Sequence, residues 1–521
     1  MVLREVIMFS KVNSMGLSGF KAERVFVECD LSVGLPRFDL VGLPDSAVSE
    51  SKERVRSAIK NCRLDFPISR ITVNLAPAEF RKEGPIYDLP ILVAVLLSSG
   101  QLTADLSRSA LFGEVALDGE IRKVNGALPM VAKAKECGIE EIYLPFDNRE
   151  EAALIPGIRI FPVRNISELL KHLKGEERIS PLPPLTFEEI SKKVRNNSDE
   201  SLDFSEVRGQ KCAKRALEVA AAGGHNLLLV GSPGAGKSML AKRLPTILPD
   251  MTFEESLATS SVYSVAGLLT RETPLIVNRP FRSPHHTTTD VAFAGGGTKA
   301  RPGEISLSHN GVLFLDELPL FSRAALETLR QPLEDGKVTV TRNAVTATYP
   351  GSIMLVCAMN PCPCGFLFDP IHECKCTEAA KKHYLARVSG PLLDRIDIHV
   401  QVDPLDAEAL YGKPSEPEET SAEIKARVMA ARTIQQKRFS GTTVTCNAQM
   451  TPRMVRKYCV LTPQAKDFLV KAFTQMNFSA RANDKILRTA RTIADLAGEE
   501  LIDTPHIMEA IQFRRMDNFG R

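Results

Sequence analysis

Short apolar runs in the middle of the chain alternate with stretches whose apolar residues follow helical spacing. Three such runs are Asn226 to Val230, Gly311 to Leu315 and Ser352 to Met359. An apolar run of this length, bounded by polar or turn residues, is typical of a buried β-strand. Helices are expected on either side of the first run, at 211–222 and from Met239 onward. The alternation predicts an α/β core.

The first part of the chain mixes the two periodicities as well. Strands are expected at 25–29, 71–75 and 142–144, and helices at 46–60, 87–97 and 127–137. A hairpin is expected over 111–124, because Asp118 and Gly119 supply turn residues between two short strand patterns. Residues 1–170 are therefore predicted to form an α/β unit.

The remaining segments differ in composition. Residues 171–201 are rich in Pro, Glu, Lys, Asn and Ser, which is typical of a linker. The α/β core is expected to follow over residues 202–403. After it, helical periodicity dominates at 422–439, 463–475 and 483–497. Residues 404–521 are therefore predicted to form an all-helical lid.

The charge balance limits what the surface can bind. The 521 residues carry a formal net charge of +3, with a pI near 8.2. Any nucleic-acid surface must then be a local basic patch. The longest apolar run, Leu89 to Leu97, is too short to cross a bilayer, and the first residues lack the apolar segment of a signal peptide. A cytoplasmic protein without a membrane partner is expected.

A phosphate-binding pattern follows the first apolar run. Residues 231–238 read Gly-Ser-Pro-Gly-Ala-Gly-Lys-Ser and fit G-x-x-x-x-G-K-S/T. Glycines let backbone N–H groups point at an anion, and the helix N-terminus adds its dipole. Lys237 is expected to reach the β- and γ-phosphates of ATP, and Ser238 to hold Mg²⁺. The flanking strand and helix favour this over a chance glycine-rich turn. The expected nucleotide contacts are Gly231, Ser232, Pro233, Gly234, Ala235, Gly236, Lys237 and Ser238.

Two carboxylates follow the second apolar run, at Asp316 and Glu317. Asp316 is expected to bind Mg²⁺ through water, and Glu317 to orient and polarise the attacking water. The alternative is an acidic helix start after a core strand. The phosphate-binding loop upstream favours the hydrolytic interpretation.

Basic residues collect in two insertions of the core. The second insertion, 336–349, alternates with period two around Arg342 and Asn343, which predicts a hairpin with a basic tip. Basic side chains in both insertions could line a pore and bind DNA phosphates, although an ordinary charged surface is the alternative for each. No pattern suggests the reading of base edges, so binding without sequence specificity is expected. The candidates are Arg282, Lys299, Arg301, Lys337 and Arg342.

Four cysteines occur as two C-x-C pairs shortly after the third apolar run. Four thiolates can complete a tetrahedral zinc site, with His372 as a rival ligand. A disulfide is disfavoured in a reducing compartment. A structural Zn²⁺ that pins this loop is therefore expected. Its ligands would be Cys362, Cys364, Cys374 and Cys376.

The segment FGEVALDGEIRKVNGALPMVAKAKECGIEEIYLP resembles the proteolytic domain of the Lon proteases. That family uses a serine and a lysine as its catalytic pair. The matching positions here fall on Ile86 and near Leu128, and neither side chain can act as nucleophile or base. The resemblance implies a Lon-like fold without peptidase activity, in the role of a scaffold.

The core resembles the AAA+ ATPases, which implies a parallel sheet around the nucleotide. In that family the stretch at Val207 and Gly209 touches the base. Asn360 corresponds to the residue that holds water near the γ-phosphate. Arg395 lies where the magnesium chelatases carry an arginine finger, which would act on the neighbouring subunit and imply an oligomer; Arg387 is the second choice. A structural pair of Arg395 with Asp394 or Asp397 is the alternative.

The lid contributes a further residue by the same resemblance. Arg481 corresponds to the residue that contacts the γ-phosphate from the lid of the same subunit, while Arg488 is a candidate for a structural role.

The order of these parts resembles the ComM/YifB family of magnesium-chelatase-like AAA+ ATPases over the whole chain. The motifs that carry it are GSPGAGKS, GVLFLDELP, LRQPLEDG, SGPLLDRIDIHV and SARANDKILRTARTIADL. The resemblance implies a homo-hexameric ATP-driven DNA motor, with ATP as a candidate requirement for assembly. Such a motor promotes branch migration in recombination, including the integration of DNA during natural transformation. The alternative is a chelatase-type ATPase that remodels a protein partner; an ATP-dependent protease would need the missing catalytic pair.

Overall fold

The computed structural model describes residues 8–196, 202–297, 300–342, 345–369, 371–404, 418–476 and 478–514. Two main β-sheets organise them, one of seven strands and one of five. Within these ranges, every helix is too short or too polar to span a bilayer.

The N-terminal unit is built on the seven-stranded sheet. The strands of the unit, two of which form a separate hairpin, are β1 (Phe9–Ser18), β2 (Lys21–Ser32), β3 (Arg37–Val41), β4 (Arg70–Ala76), β5 (Ser109–Leu111), β6 (Glu114–Val115), β7 (Ile121–Arg122), β8 (Glu141–Pro145) and β9 (Arg159–Val163). The sheet order is β3-β4-β2-β1-β5-β8-β9. The pairs β1–β2 and β2–β4 are antiparallel, and the other neighbours are parallel. The hairpin expected over 111–124 is confirmed by the β6–β7 pair.

Helices pack against this sheet. They are α1 (Ser46–Ser49), α2 (Ser51–Asn61), α3 (Asp88–Ser98), α4 (Ala127–Glu136), α5 (Arg149–Ala152), α6 (Ile166–Leu173) and α7 (Phe187–Asn196). Nearly all of α3 is buried, which agrees with its uninterrupted apolar run. The prediction of a single helix over 46–60 was wrong, because the helix is interrupted at Glu50 and forms α1 and α2. There the Ser51 hydroxyl donates to the buried carboxylate of Asp88 and fastens the start of α2 to α3.

The stretch 171–201 is only partly the linker that its composition predicts. The end of α6 and the whole of α7 lie within it. Ile190 is 4% exposed, and the rings of Phe187 and Phe253 meet edge to face with centroids 5.7 Å apart. A few apolar residues at helical spacing give a polar helix one face to bury, which average composition does not reveal.

The core is built on the five-stranded sheet. The remaining strands are β10 (Leu227–Gly231), β11 (Phe281–Arg282), β12 (Gly295–Gly296), β13 (Arg301–Pro302), β14 (Val312–Leu315), β15 (Lys337–Arg342), β16 (Val345–Pro350), β17 (Met354–Met359) and β18 (Ile398–Val402). The sheet order is β11-β14-β17-β10-β18, with every pair parallel. The three apolar runs form β10, β14 and β17 at its centre, and β15 pairs with β16 as the expected hairpin.

The helices of the core are α8 (Lys211–Gly223), α9 (Lys237–Ile247), α10 (Phe253–Ala266), α11 (Asp290–Ala294), α12 (Glu304–Leu307), α13 (Arg323–Thr328), α14 (Arg330–Asp335), α15 (Glu378–Leu385) and α16 (Gly390–Leu393). Helices also form the lid region, where they are α17 (Ser421–Arg438), α18 (Pro452–Tyr458), α19 (Pro463–Met476), α20 (Ala480–Ala497) and α21 (Thr504–Gln512). The helix α17 begins with a capping box between Thr420 and Glu423. The helical character expected of this region is confirmed.

The N-terminal unit packs against both insertions of the core. The Ser264 hydroxyl of α10 donates to the buried Glu151 carboxylate at 2.6 Å. Leu275 and Val277, which follow α10, are part of the N-terminal hydrophobic core. On the hairpin side, the rings of Phe20 and Tyr349 lie 5.8 Å apart. These contacts fix both insertions against one surface.

The buried imidazole of His309 makes stability sensitive to acid. Burial lowers the pKa of His309 to about 4, although Glu255 opposes the shift. Its neutral Nδ1 accepts a hydrogen bond from the Ser352 N–H at 3.2 Å. The folded pKa lies below the ordinary value near 6.5. Stability is therefore complete above about pH 6.5 and falls as the pH drops toward 4.

We expect His309→Gln to weaken this acid dependence by up to about 3 kcal/mol between pH 6.5 and 4. Urea unfolding across that range measures it, with the exposed His383→Gln as the matched control. Parallel pH profiles for wild type and His309→Gln would contradict the assignment.

Candidate functional site

The loop between β10 and α9 is shaped by glycine. Gly236 caps α9 with φ +92°, a left-handed conformation that side chains disfavour. A Cβ on Gly231 would lie 2.2 Å from the Val402 carbonyl oxygen on β18, so only glycine fits beside that strand. The loop therefore passes close to the sheet and ends at a helix N-terminus, which is the geometry of an anion site.

Lys237 is directed back into this loop. Its side chain is 8% exposed, and Nζ donates to the carbonyls of Gly231 at 2.7 Å and Ser232 at 2.8 Å. A third bond, of 3.1 Å, goes to Oδ1 of Asn360. Burial lowers the pKa of Lys237, while Asp316 and Glu317 oppose that shift. The cation thus lies between the phosphate-binding loop and the end of β17.

The two residues expected to hold Mg²⁺ are in contact. The Ser238 hydroxyl donates to Oδ2 of Asp316 at 2.6 Å. Ser238 lies in the first turn of α9, and Asp316 directly follows β14. A hydroxyl and a carboxylate are oxygen donors of the kind that Mg²⁺ prefers. The donor set fits a magnesium–nucleotide complex beside the loop.

Glu317 has an unusual backbone and a neighbour that local sequence patterns did not identify. Its φ is +53°, and its side chain is 56% exposed. His286 Nδ1 lies 3.6 Å from Oε2 of Glu317. A non-glycine residue with a left-handed backbone conformation is a frequent feature of functional positions. The His285–His286 pair was visible in the first insertion, but nothing in its spacing pointed to Glu317.

Asn360, Arg395 and Arg481 have different surroundings. Asn360 contacts Lys237 as described. Arg395 donates to the Pro391 carbonyl at 2.7 Å and forms an ion pair with Glu334. The alternative partners Asp394 and Asp397 were therefore wrong as salt-bridge partners of Arg395. Arg481 is exposed in the first turn of α20.

The segment expected near the base is tied to other residues. Val207 is fully buried in the apolar core, so its side chain does not line an open pocket. The Gly209 N–H donates to Glu418 at 2.7 Å. The neighbouring Gln210 reaches the Ala235 carbonyl of the loop at 3.4 Å. Glu418 lies some two hundred positions away in sequence, and no local pattern predicts its contact.

The four cysteines converge. Their Sγ atoms all lie within 4.8 Å of one another. The separations are 3.4 Å for Cys362–Cys364 and 3.7 Å from each of these to Cys374. A tetrahedral ZnS₄ site with 2.3 Å bonds needs sulfur separations of about 3.8 Å. His372 instead contacts Asp369 at 3.1 Å. The thiol cluster therefore fits a zinc ion without the histidine.

The basic candidates of the insertions separate into groups. Arg282 makes a bidentate pair with Glu304, with both distances 2.7 Å. Its charge is balanced within the fold by Glu304, and its contact with DNA stays a prediction. Arg301 and Lys337 are exposed. Arg342 ends β15 at the hairpin tip, and Lys299 lies outside the described residues.

The two positions that the sequence resemblance aligned with a Lon catalytic pair are apolar and buried. Ile86 is 7% exposed and Leu128 is fully buried. Both belong to the N-terminal hydrophobic core. These two side chains pack and carry no acid–base chemistry.

Comparison with known families matches three consecutive parts of the chain. Residues 27–148 match "Subunit ChlI of Mg-chelatase". Residues 203–410 match "Magnesium chelatase, subunit ChlI". Residues 418–514 match "Magnesium chelatase, subunit ChlI C-terminal". The phosphate-binding loop, the carboxylates and the thiol cluster all fall within the second match.

Two of the similar proteins match along nearly the whole chain, and a third matches a part of it. YifB of Escherichia coli is 40% identical over 509 residues, covering 98% of this chain and 97% of YifB. Competence protein ComM of Haemophilus influenzae is 40% identical over 509 residues, covering 97% of each. The magnesium-chelatase 67 kDa subunit of Chlorobaculum parvum is 28% identical over 162 residues, which is 30% of this chain and 23% of that protein.

We expect Lys237→Met to lower nucleoside-triphosphate turnover by about 100-fold or more, because it removes a positioned cation. Phosphate release measures turnover, and a fluorescent ATP analogue measures binding. Lys242→Met, an exposed lysine of the same helix, is the matched control. Equal loss in both variants would show that the effect is not specific to the loop.

Proposed function

This chain belongs to the family of ComM and YifB, with magnesium-chelatase-like domains along its length, and from that premise we propose that it is an ATP-hydrolysing hexameric ring motor that acts on DNA. The observation that carries the proposal is the convergence of Lys237, Ser238, Asp316 and Asn360 beside one glycine loop. The family implies ATP and Mg²⁺ as ligands, and these residues fit them.

Hydrolysis would use the side chains in distinct roles. Residues 231–238 bind the phosphates, and Lys237 balances their charge. Ser238 and Asp316 would hold Mg²⁺ through their side-chain oxygens, and the ion would balance phosphate charge. Glu317 orients and polarises the attacking water, and Asn360 holds that water near the γ-phosphate. The His286 ring beside Glu317 restrains that carboxylate.

A ring supplies the remaining charges. We assign Arg481 to the nucleotide of its own subunit, from the lid. Arg395 is assigned to the nucleotide of the next subunit, where a cation stabilises transferring phosphoryl oxygens. In the single chain, Arg395 is paired with Glu334. Assembly would exchange that carboxylate for the phosphates of the neighbour.

DNA is proposed to contact the hairpin of β15 and β16. Its basic residues Lys337 and Arg342 lie at the two ends of β15, with Arg301 in the adjoining insertion. Such cations bind phosphates without reading sequence. The Haemophilus relative is named a competence protein. For this chain we propose branch migration during recombination, including the integration of DNA in natural transformation.

The N-terminal unit is proposed to be a Lon-like scaffold without peptidase activity. Its contacts with α10 and with Tyr349 hold both insertions in place. Residues 1–170, 202–403 and 404–521 would then be the scaffold, the motor and the lid.

We expect wild-type protein with ATP to displace a strand from a three-stranded DNA junction. Glu317→Gln should bind ATP and DNA but lose displacement, because the attacking water is no longer polarised. A gel assay with labelled strands measures movement, and anisotropy measures DNA binding.

Substitution of the hairpin cations by alanine tests whether the hairpin binds DNA, using the same anisotropy measurement of DNA affinity. Lys337→Ala with Arg342→Ala should reduce the slope of log affinity against log salt by about 0.7 to 0.9 for each DNA phosphate that the protein no longer neutralises. Lys174→Ala, an exposed lysine of the N-terminal unit, is the control. Without displacement and without any effect of DNA on ATP turnover, an ATPase that remodels a protein partner would be the better assignment.

A structural Zn²⁺ is proposed at Cys362, Cys364, Cys374 and Cys376. The cluster begins two residues after Asn360. In the same loop, a Cβ on Gly365 would lie 2.5 Å from Cδ of Pro233. The ion would thus pin the loop that lies against the phosphate-binding loop.

We expect purified protein to hold about one zinc ion per chain, and Cys374→Ser to hold almost none. Elemental analysis after gel filtration measures the content. Cys212→Ser, an exposed cysteine outside the cluster, should retain the metal. Metal-free wild-type protein that folds normally would exclude the zinc assignment.

A further inference from the structure

The short segment from Asp394 to Asp397 joins α16 to β18, and it carries Arg395. Arg514 Nη1 donates to the segment's Ile396 and Asp397 carbonyls at 3.1 and 3.3 Å, and further hydrogen bonds hold the segment from two other sides. One side is the start of the strand that leads to the phosphate-binding loop. The other side is the lid helix α20.

Asn226, just before β10, makes the contacts on the first side. Its Nδ2 donates to the Arg395 carbonyl at 3.0 Å, and its Oδ1 accepts from the Leu355 N–H at 2.8 Å. Its own carbonyl accepts from the Asp397 and Ile398 N–H groups, both at 3.1 Å. One amide side chain thus joins the backbone of Arg395 to β17, the strand that ends at Asn360.

Lys485 of α20 makes the contacts on the second side. Its Nζ donates to the Asp394 carbonyl and, at 3.1 Å, to the Ile396 carbonyl. It also lies 3.4 Å from Oδ1 of Asp397, and its side chain is 12% exposed. An ammonium group has three N–H donors, and here all three face oxygens of one four-residue segment.

The ion pair within this contact is itself supported. Burial alone would raise the pKa of Asp397, but Lys485 and His225 hold it well below its usual range. His225 Nδ1 lies 3.5 Å from Oδ2 of Asp397, and its Nε2 meets the Thr492 hydroxyl at 2.8 Å. Thr492 lies on the same lid helix. A buried charge with partners on both sides resists displacement more than an exposed pair does.

Arg481 lies one helical turn before Lys485 on α20. Residues four apart share a face of a helix. A shift of α20 that follows contact between Arg481 and nucleotide would therefore be transmitted through Lys485 to the segment that carries Arg395.

From this geometry we infer that Lys485 is a positioning residue, which couples the nucleotide bound in one subunit to the placement of Arg395 in the site of the next. The inference rests on the proposed ring and on the proposed action of Arg395 in the neighbouring site. It adds a hydrogen-bonded connection, through Lys485, between the nucleotide of one subunit and the Arg395 that acts in the next. Lys485 touches no reacting atom, so it acts only through Arg395.

Mixed rings test the inference. A Glu317→Gln subunit does not hydrolyse ATP, so it changes total turnover only through what it offers its neighbours. We would mix wild-type protein with an equal amount of one variant subunit. That subunit carries Glu317→Gln alone, or Glu317→Gln together with a second substitution in the same chain. The second substitution is Lys485→Met, Arg395→Ala or Lys471→Met. ATP turnover per wild-type subunit is the measurement, and native mass spectrometry verifies equal incorporation. Lys471 is an exposed lysine of the lid and serves as the matched control.

We expect two variant subunits, Glu317→Gln with Lys485→Met and Glu317→Gln with Arg395→Ala, each to lower ATP turnover per wild-type subunit about twofold further than Glu317→Gln alone. At equal amounts, half of the wild-type sites then receive their arginine from a defective neighbour in a head-to-tail ring. The variant subunit with Lys471→Met should match Glu317→Gln alone.

Three results would overturn the inference. If Arg395→Ala lowers turnover and Lys485→Met does not, Lys485 does not position Arg395, while the proposed trans role stands. If neither lowers turnover, the trans role of Arg395 and the inference both fail. If native mass spectrometry shows no ring, the proposed function itself fails.

A second variant covers the case in which Lys485→Met does not incorporate. Lys485→Arg keeps the charge beside Asp397, but a planar guanidinium cannot direct its donors to three convergent oxygens. It should cause the same additional loss in trans. Full trans activity of Lys485→Arg would contradict the inference.

Discussion

The parallel pairing of β14, β17 and β10 is the constraint on which the rest of the molecule depends. The register aligns Val230 with Met359 and Leu315 with Cys357, so the three strands end at one edge of the sheet. Side chains that follow the strands must then meet there, as they do at the carboxyl ends of parallel strands in other open sheets. The contact of Lys237 with Asn360 is a direct result of this pairing.

Charge is balanced locally through most of this architecture. Arg282 is neutralised by Glu304, and Arg395 by Glu334. Both arginines were candidates for binding phosphate, and both have a carboxylate partner within the chain. Their carboxylate partners differ in exposure, because the Glu334 side chain is 59% exposed and that of Glu304 is 20% exposed, whereas the Arg395 side chain is itself less exposed than that of Arg282, at 19% against 35%. An exposed partner can be exchanged for a phosphate at small cost, whereas a sheltered bidentate pair cannot.

The insertions connect the nucleotide-binding core to the N-terminal unit. A minimal nucleotide-binding core needs neither α10 nor the hairpin, yet both pack on the N-terminal unit through contacts such as Glu151 with Ser264 and Phe20 with Tyr349. Burial raises the pKa of Glu151, although its hydrogen bonds to Ser264 and Asn148 oppose the shift. A buried carboxyl group that is hydrogen-bonded across two elements favours one relative arrangement of them. The N-terminal unit and α10 are thereby held together.

The sequence by itself determined the phosphate-binding loop, the central strands, the hairpin and the lid helices, because each depends on local periodicity or on residues adjacent in the chain. It also identified the four cysteines, although not that their sulfurs meet within 4.8 Å. Only the tertiary structure decided which charges are paired. Glu334 lies 61 positions from Arg395, and Lys485 lies 91 positions from Asp394. Contacts at such separations are set by how sheet, insertions and lid pack, and no local pattern encodes them.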